Sequence, residues 1–157
     1  MKNNYFIISL IYILLFSSCG FKVVNKTNLL EYSIAEISTS GDKKVNFKLK
    51  NLIQASSKNN KEKLINIEIK SERKKTVKEK NIKNEITKYE IKINVTIKYK
   101  DLGNNKTGQF SVSNEGDYSV ADQYSQTLNN EKKLTELLTN NLSDEILSEL
   151  IRSINAI

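Results

Sequence analysis

The side chains that could do chemistry are few. With no histidine and one cysteine, Cys19, the chain offers no Ser-His triad, no Cys-His pair and no zinc site, which leaves carboxylates, hydroxyls and lysines. The carboxylate pairs are Glu115 with Asp117 and Asp144 with Glu145. Hydrolysis would need one member of a pair as acid and the other as base. Their settings point to structure instead: Glu115 and Asp117 flank Gly116 in turn-like sequence, and Asp144-Glu145 suits a helix first turn, where acids complement the dipole. Asp101 to Asn105 lacks the further acids and closing glutamate of a calcium loop and reads as a hairpin turn. The chain is therefore expected to be no enzyme and to carry no metal or other cofactor. The densest charge runs from Arg73 to Lys88, with Lys74, Lys75, Lys78, Lys80 and Lys83 between them, interrupted by Glu79 and Glu85. Lysine meets phosphate as a point charge with several donors, so this segment could hold phosphate groups; a solvated loop in a lysine-rich chain is the plainer alternative.

Cys19 stands where the one long apolar run ends. Lys2, the uncharged segment Tyr5 to Phe16 and the small residues Ser17-Ser18 have the charged start, apolar middle and small-residue exit of an export signal. The run is shorter than the roughly 20 apolar residues needed to span a bilayer. Ser17-Ser18-Cys19 resembles a bacterial lipobox, although Phe16 stands where a leucine is usual. The alternatives are a cysteine beside an ordinary secretory signal, or a free buried thiol. As a lipobox, it makes Cys19 the first mature residue, acylated on its amine and carrying diacylglycerol on its sulfur. At about 0.8 kcal/mol per buried CH₂, two or more chains make a stable anchor where one is marginal. Gly20 is not the aspartate that resembles an inner-membrane retention signal, which favours the outer membrane. The expected organisation is a signal peptide over 1–18, a lipidated tether over 19–31 and one domain over 32–157.

Removal of 1–18 leaves enough chain to bury roughly two thirds of its unfolded surface. There are 25 Lys+Arg against 18 Asp+Glu, and loss of Lys2 lowers the formal charge from +7 to +6. A basic balance suits nucleic acid, an acidic membrane surface or a phosphorylated ligand. Export and the lack of an RNA-binding or Cys/His signature argue against nucleic acid.

The elements that must position these residues follow from periodicity. Tyr32 to Thr39 reads as a strand, with Tyr32, Ile34 and Glu36 on one face and Ala35 and Ile37 on the other. Asp42 can cap a helix in which Val45, Leu49, Leu52, Ile53 and Phe47 recur at helical spacing. A polar loop follows from Ser56 to Lys63, and Ile65, Ile67 and Ile69 alternate with polar residues as a second strand ending at Lys70. Tyr89 to Lys100 is a longer third strand, with Ile91, Ile93, Val95, Ile97 and Tyr99 on its oily face. Phe110 and Val112 belong to a fourth that fades at Asn114 to Asp117. From about Ser119 the chain reads as helix, with a stripe through Tyr124, Leu128, Leu134, Leu137, Leu138, Leu142, Ile146, Leu150 and Ile154 and a bend or fresh start near Asn140 to Asp144. The order β-α-β-β-β-α is solved most simply by an α+β two-layer sandwich, a four-stranded mixed sheet covered on one face by two helices. Lys92, Asn94, Thr96 and Lys98 would leave the other face polar and open.

Cys19-Gly20-Phe21 followed by this order of elements, with Tyr89 opening the long strand and Tyr118-Ser119 leading to a Leu-rich terminal helix, resembles the LptE family of lipopolysaccharide-assembly lipoproteins. The resemblance covers nearly the whole mature chain. It implies a lipid-anchored protein of the Gram-negative outer membrane that sits in the lumen of the LptD β-barrel, helps assemble it and assists lipopolysaccharide insertion. It also implies that Lys78, Lys80 and Lys83, near the hairpin tip, meet lipopolysaccharide phosphates. The family's other basic contact region, near the start of the last helix, has no match around Leu128. A binding module for another anionic envelope ligand or complex is the alternative. The mass of the mature N-terminus checks the first step: triacylated Cys19 is expected, and an intact Met1 would overturn it.

Overall fold

A computed structural model describes residues 32–57 and 63–155, so the export segment, Cys19 and the tether lie outside the described residues. The elements are β1 (Ser33–Gly41), α1 (Lys43–Ala55), β2 (Leu64–Lys80), β3 (Ile86–Asp101), β4 (Thr107–Ser119) and α2 (Tyr124–Asn155). They form the two-layer α+β sandwich that the pattern calls for. The strands lie in the order β1-β2-β3-β4, with β1 parallel to β2 across the α1 crossover and the remaining pairs antiparallel.

β3 is the spine. Ile91, Ile93, Val95 and Ile97 have no exposed surface, and Tyr99 almost none, while Lys92, Asn94, Lys98 and Lys100 between them stay in water. Val45, Leu49 and Ile53 of α1 and Leu138, Leu142, Ile146 and Leu150 of α2 join the same core cluster. Burying one such side chain contributes roughly 1.5–3 kcal/mol, against about 0–1 kcal/mol for a surface ion pair. The apolar row, not the charge on the other face, therefore holds the layers together.

β1 departs from simple alternation. Ile34 pairs with Ile65 and Ile37 with Ile67, so three residues of β1 span two of β2. The bulge places Ile34 and Ile37 on the same, core-facing side, correcting the assignment of opposite faces. At the far end Gly41 has φ +99°, and a Cβ there would lie 1.8 Å from the Ser71 carbonyl oxygen. The chain turns at once into α1, where Asp42 caps the helix: its Oδ1 accepts from the Lys44 and Val45 amides, each at 3.0 Å.

Four sequence expectations are corrected. β2 does not stop at Lys70 but stays paired with β3 to Lys80, so most of the Arg73 to Lys88 segment is strand rather than loop. β4 does not fade at Asn114; it remains in register to Ser119. Gly116 is accommodated there because Leu134 packs beneath it, 3.0 Å from where a Cβ would sit. α2 begins at Tyr124 and has no break near Asn140, so Asp144 and Glu145 lie inside the helix, not in a first turn. Its asparagines cost under about 1 kcal/mol each in helix propensity, less than the burial of Leu138, Leu142 and Ile146 returns. Last, the helical stripes are not buried throughout: Phe47 of α1 and Tyr124, Leu128 and Leu137 of α2 are exposed.

Gly41→Ala is expected to lower stability by at least about 1–3 kcal/mol, because positive φ and a backbone clash coincide. Gly103→Ala, which would meet only the Asp101 side chain at 3.3 Å, is expected to change it little. Urea unfolding of the two variants checks the contrast.

Candidate functional site

The last register pair of β1 with β2 is Gly41 with Ser71, so from Glu72 onward β2 runs beyond β1, while β3 stays flanked by β4 as far as Lys88 and only the hairpin tip beyond Glu79 is free on both sides. At roughly 3.3 Å per residue, the 17 residues of β2 span about 55 Å. Its tip is a built turn. The Asn81 side chain accepts from the Lys83 and Glu85 amides at 2.9 Å and donates to Glu85 Oε2 at 2.7 Å, and Asn84 takes φ 63°. The turn holds Lys80 and Lys83 together in solvent, with Lys80 Nζ donating to Asn84 Oδ1 at 2.9 Å and Ile82 fully exposed between them. Lys78 sits at a bulge lower down and is engaged elsewhere, 2.8 Å from Asp117 and 3.8 Å from Glu90. Two of the three sequence-predicted lysines thus share the tip, and the third belongs to the open sheet face.

That open face carries several matched charges, although Lys70, Lys74 and Lys100 also stand exposed on it and Lys74 lies directly opposite Lys92. Besides Lys78 with Asp117, Lys88 meets Glu79 at 2.8 Å, Lys92 meets Glu115 at 2.9 Å, and Lys98 meets Glu68 at 3.7 Å. Glu115 and Asp117 are strand residues tied to lysines, not an acid–base pair in a turn. Hydrogen bonds from Lys92 and Lys78, respectively, hold their carboxyls below the ordinary values and raise the lysines.

On the covered face, beyond the N-terminus of α1, sequence reasoning missed a polar cluster. Glu131 of α2 accepts from Lys75 Nζ at 2.7 Å and from the Tyr118 hydroxyl at 2.9 Å on one oxygen, and from Arg73 at 3.4 Å on the other. Arg73 also bonds the capping Asp42 at 3.1 Å. Lys75 lies over the Tyr89 ring, 4.2 Å from its centroid, and Tyr89 stacks on Tyr118 at 5.7 Å. Burial by itself pushes the Glu131 carboxyl up, but the Lys75 and Tyr118 hydrogen bonds and the Lys75 and Arg73 charges outweigh it, so its pKa falls below the ordinary 4.5. Asp42 falls below 3.8 in the same way, burial being outweighed by the Val45 amide and Arg73. Burial also raises the Tyr118 phenol above 10.0; Lys75 opposes that rise and Glu131 adds to it.

Next to this cluster, between the helices, lies a groove of about 750 Å³ lined by Val45, Phe47, Leu52 and Leu128, with Lys44, Lys48, Arg73 and Lys132 as its cations and Glu131 and Glu136 as its acids. Near the start of the last helix the groove thus sets four cations against two carboxylates. It is assembled from both helices and Arg73, which is why no local run of sequence announced it.

The described residues thus define a class, a one-sided α+β sandwich with a projecting basic hairpin. Bacterial lipoproteins share this fold. Lipoprotein B from Nitrosomonas europaea matches with a TM-score of 0.55 at 13% identity, over 87% of this chain and 94% of that one. A Caulobacter crescentus protein assigned as a lipoprotein matches at 0.52 and 12% identity, over 84% and 95%. No known family profile matches the sequence, and no curated protein matches it significantly.

Carboxylates with depressed folded pKa values stabilise above their unfolded values, and that stability is lost as pH falls through the folded ones. For Glu131 and Asp42 the loss therefore begins below about 4.5 and 3.8. The melting temperature is expected to hold from neutral pH to near 5 and to drop below that. Glu131→Gln should melt lower at neutral pH and show a shallower acid decline; a parallel decline would remove Glu131 as a contributor.

Proposed function

We propose that the chain is a lipid-anchored envelope protein that seats in the lumen of an LptD-like outer-membrane β-barrel, helps that barrel assemble and assists lipopolysaccharide insertion, without catalysis. The observation that supports it best is the one-sided core. The isoleucine face is closed by helices, and the opposite face is polar, with four of its lysines each matched to a carboxylate and Lys70, Lys74 and Lys100 turned to water. A barrel lumen is polar. A body that lies against such a wall gains from keeping its oil inside and its surface charge compensated, since an unpaired charge taken from bulk water costs several kcal/mol. The fold shared with bacterial lipoproteins supports the envelope assignment, and the cations at the hairpin tip and in the groove suit an amphiphile bearing phosphates.

Tagged full-length protein, extracted in mild detergent from its native membrane, is expected to bring a large barrel protein with it; recovery alone would overturn this reading. Lysine near an anionic surface contributes about 1 kcal/mol, and Lys78 is already paired. Lys80→Ala with Lys83→Ala should therefore weaken lipopolysaccharide binding about thirtyfold, and Lys78→Ala alone by less. Equal binding by all variants would clear the tip of a ligand role.

A further inference from the structure

The two outer margins of the sheet are treated differently. On one side β1 is short and bulged, and the part of β2 that outruns it, Glu72 to Lys80, carries seven charged residues and two register shifts. Charge and bulges are the usual ways in which a strand edge is kept from pairing with another chain. β4 has neither. It runs 13 residues in unbroken register, contains no lysine, arginine or proline, and its only charges, Glu115 and Asp117, are already bonded to Lys92 and Lys78. Among the described residues no strand covers its outer side.

The direction of its free groups can be worked out. Asp101 donates to Lys106 and Val120 donates to Thr87, so pairs of β3 and β4 with an odd β3 number are the hydrogen-bonded ones. The even residues of β4 therefore bond inward, while Gln109, Ser111, Ser113, Glu115 and Asp117 aim their amides and carbonyls outward. A two-fold antiparallel pairing centred on Ser113 satisfies them without a like-charge contact: Ser111 faces Glu115 of the second copy and Gln109 faces Asp117. On the core side the same register sets half-buried Phe110 against Gly116 and Val112 against Asn114, large beside small. A centre at Glu115 would instead oppose that carboxylate to its own copy.

We propose that the chain, when free of a barrel, dimerises through β4, joining two four-stranded sheets into one of eight strands. The pairing does not depend on the barrel reading. It also protects the margin that the sequence leaves bare.

Residues opposed in a hydrogen-bonded pair have Cα atoms about 5.5 Å apart, within the 4.4–6.8 Å that a disulfide accepts. Full-length lipoprotein is overproduced and kept at many micelles per chain, so that detergent does not force copies together. Under mild oxidation Ser113→Cys is expected to give a linked dimer at least about tenfold more abundant than Gln109→Cys, whose copies would lie roughly 27 Å apart in this register. The unmodified chain, whose one cysteine is Cys19, sets the background. Ser113→Pro removes only an outward amide and should be monomeric by sedimentation with unchanged melting, because proline is tolerated where an edge N–H faces solvent. Equal linking at positions 109 and 113, a monomeric unmodified chain, or a Ser113→Pro chain that still dimerises would each overturn the proposal.

Discussion

Everything in this molecule follows from β3 having one dry face. Five alternate residues from Ile91 to Tyr99 are buried, and the residues between them cannot be, so both helices must lie on the same side. The α1 crossover makes β1 parallel to β2, and with the helix held to that side its one hand fixes on which side of β2 the strand β1 lies. The same requirement gives α2 its place under β4, where Leu134 occupies the space that Gly116 leaves open. The polar face is what remains once this has been satisfied.

Legibility followed the apolar row. β3, the first half of β2, α1 with its Asp42 cap, and the overall order could be read because alternation or helical spacing coincides with burial there. Reading failed where an element leaves the core. Glu72 to Lys80 is strand although nearly every residue is polar, since cross-strand pairing with β3 and not a dry face holds it. The end of β4 looked like a turn because Asn114, Gly116 and Asp117 are turn formers in isolation; tertiary pairing overrode them. Ile34 and Ile37 are three apart, a spacing no regular strand puts on one face, and only the bulge reconciles them. For the candidate site, Lys80 and Lys83 could be placed because they adjoin a local turn. The Arg73, Lys75, Tyr118 and Glu131 cluster could not, since its members are brought together from three elements that share no sequence window.

The projecting hairpin shows how charge is apportioned. Lys78, Lys88, Lys92 and Lys98 meet carboxylates on the sheet and add little net field, whereas Lys70, Lys74 and Lys100 do not, and the lysines at the turn face an asparagine or water. The excess positive charge of the chain is thus not spread evenly. Part of it collects at the hairpin end, opposite the end from which β1 departs, and another part lines the helix groove, so an anionic amphiphile would find cations at two separate heights.

The single parallel pairing has a consequence for how the chain reaches this state. β2, β3 and β4 form a meander whose neighbours lie a short turn apart, and its central row can collapse with little chain to close. β1 must instead wait for α1 and the following loop to return it to β2, a closure over a much longer stretch. The meander is therefore expected to form first and β1 with α1 to be added late. During that interval β2 is open along its whole length, and the charges of its upper half are what keep the half-formed sheet from recruiting a stranger.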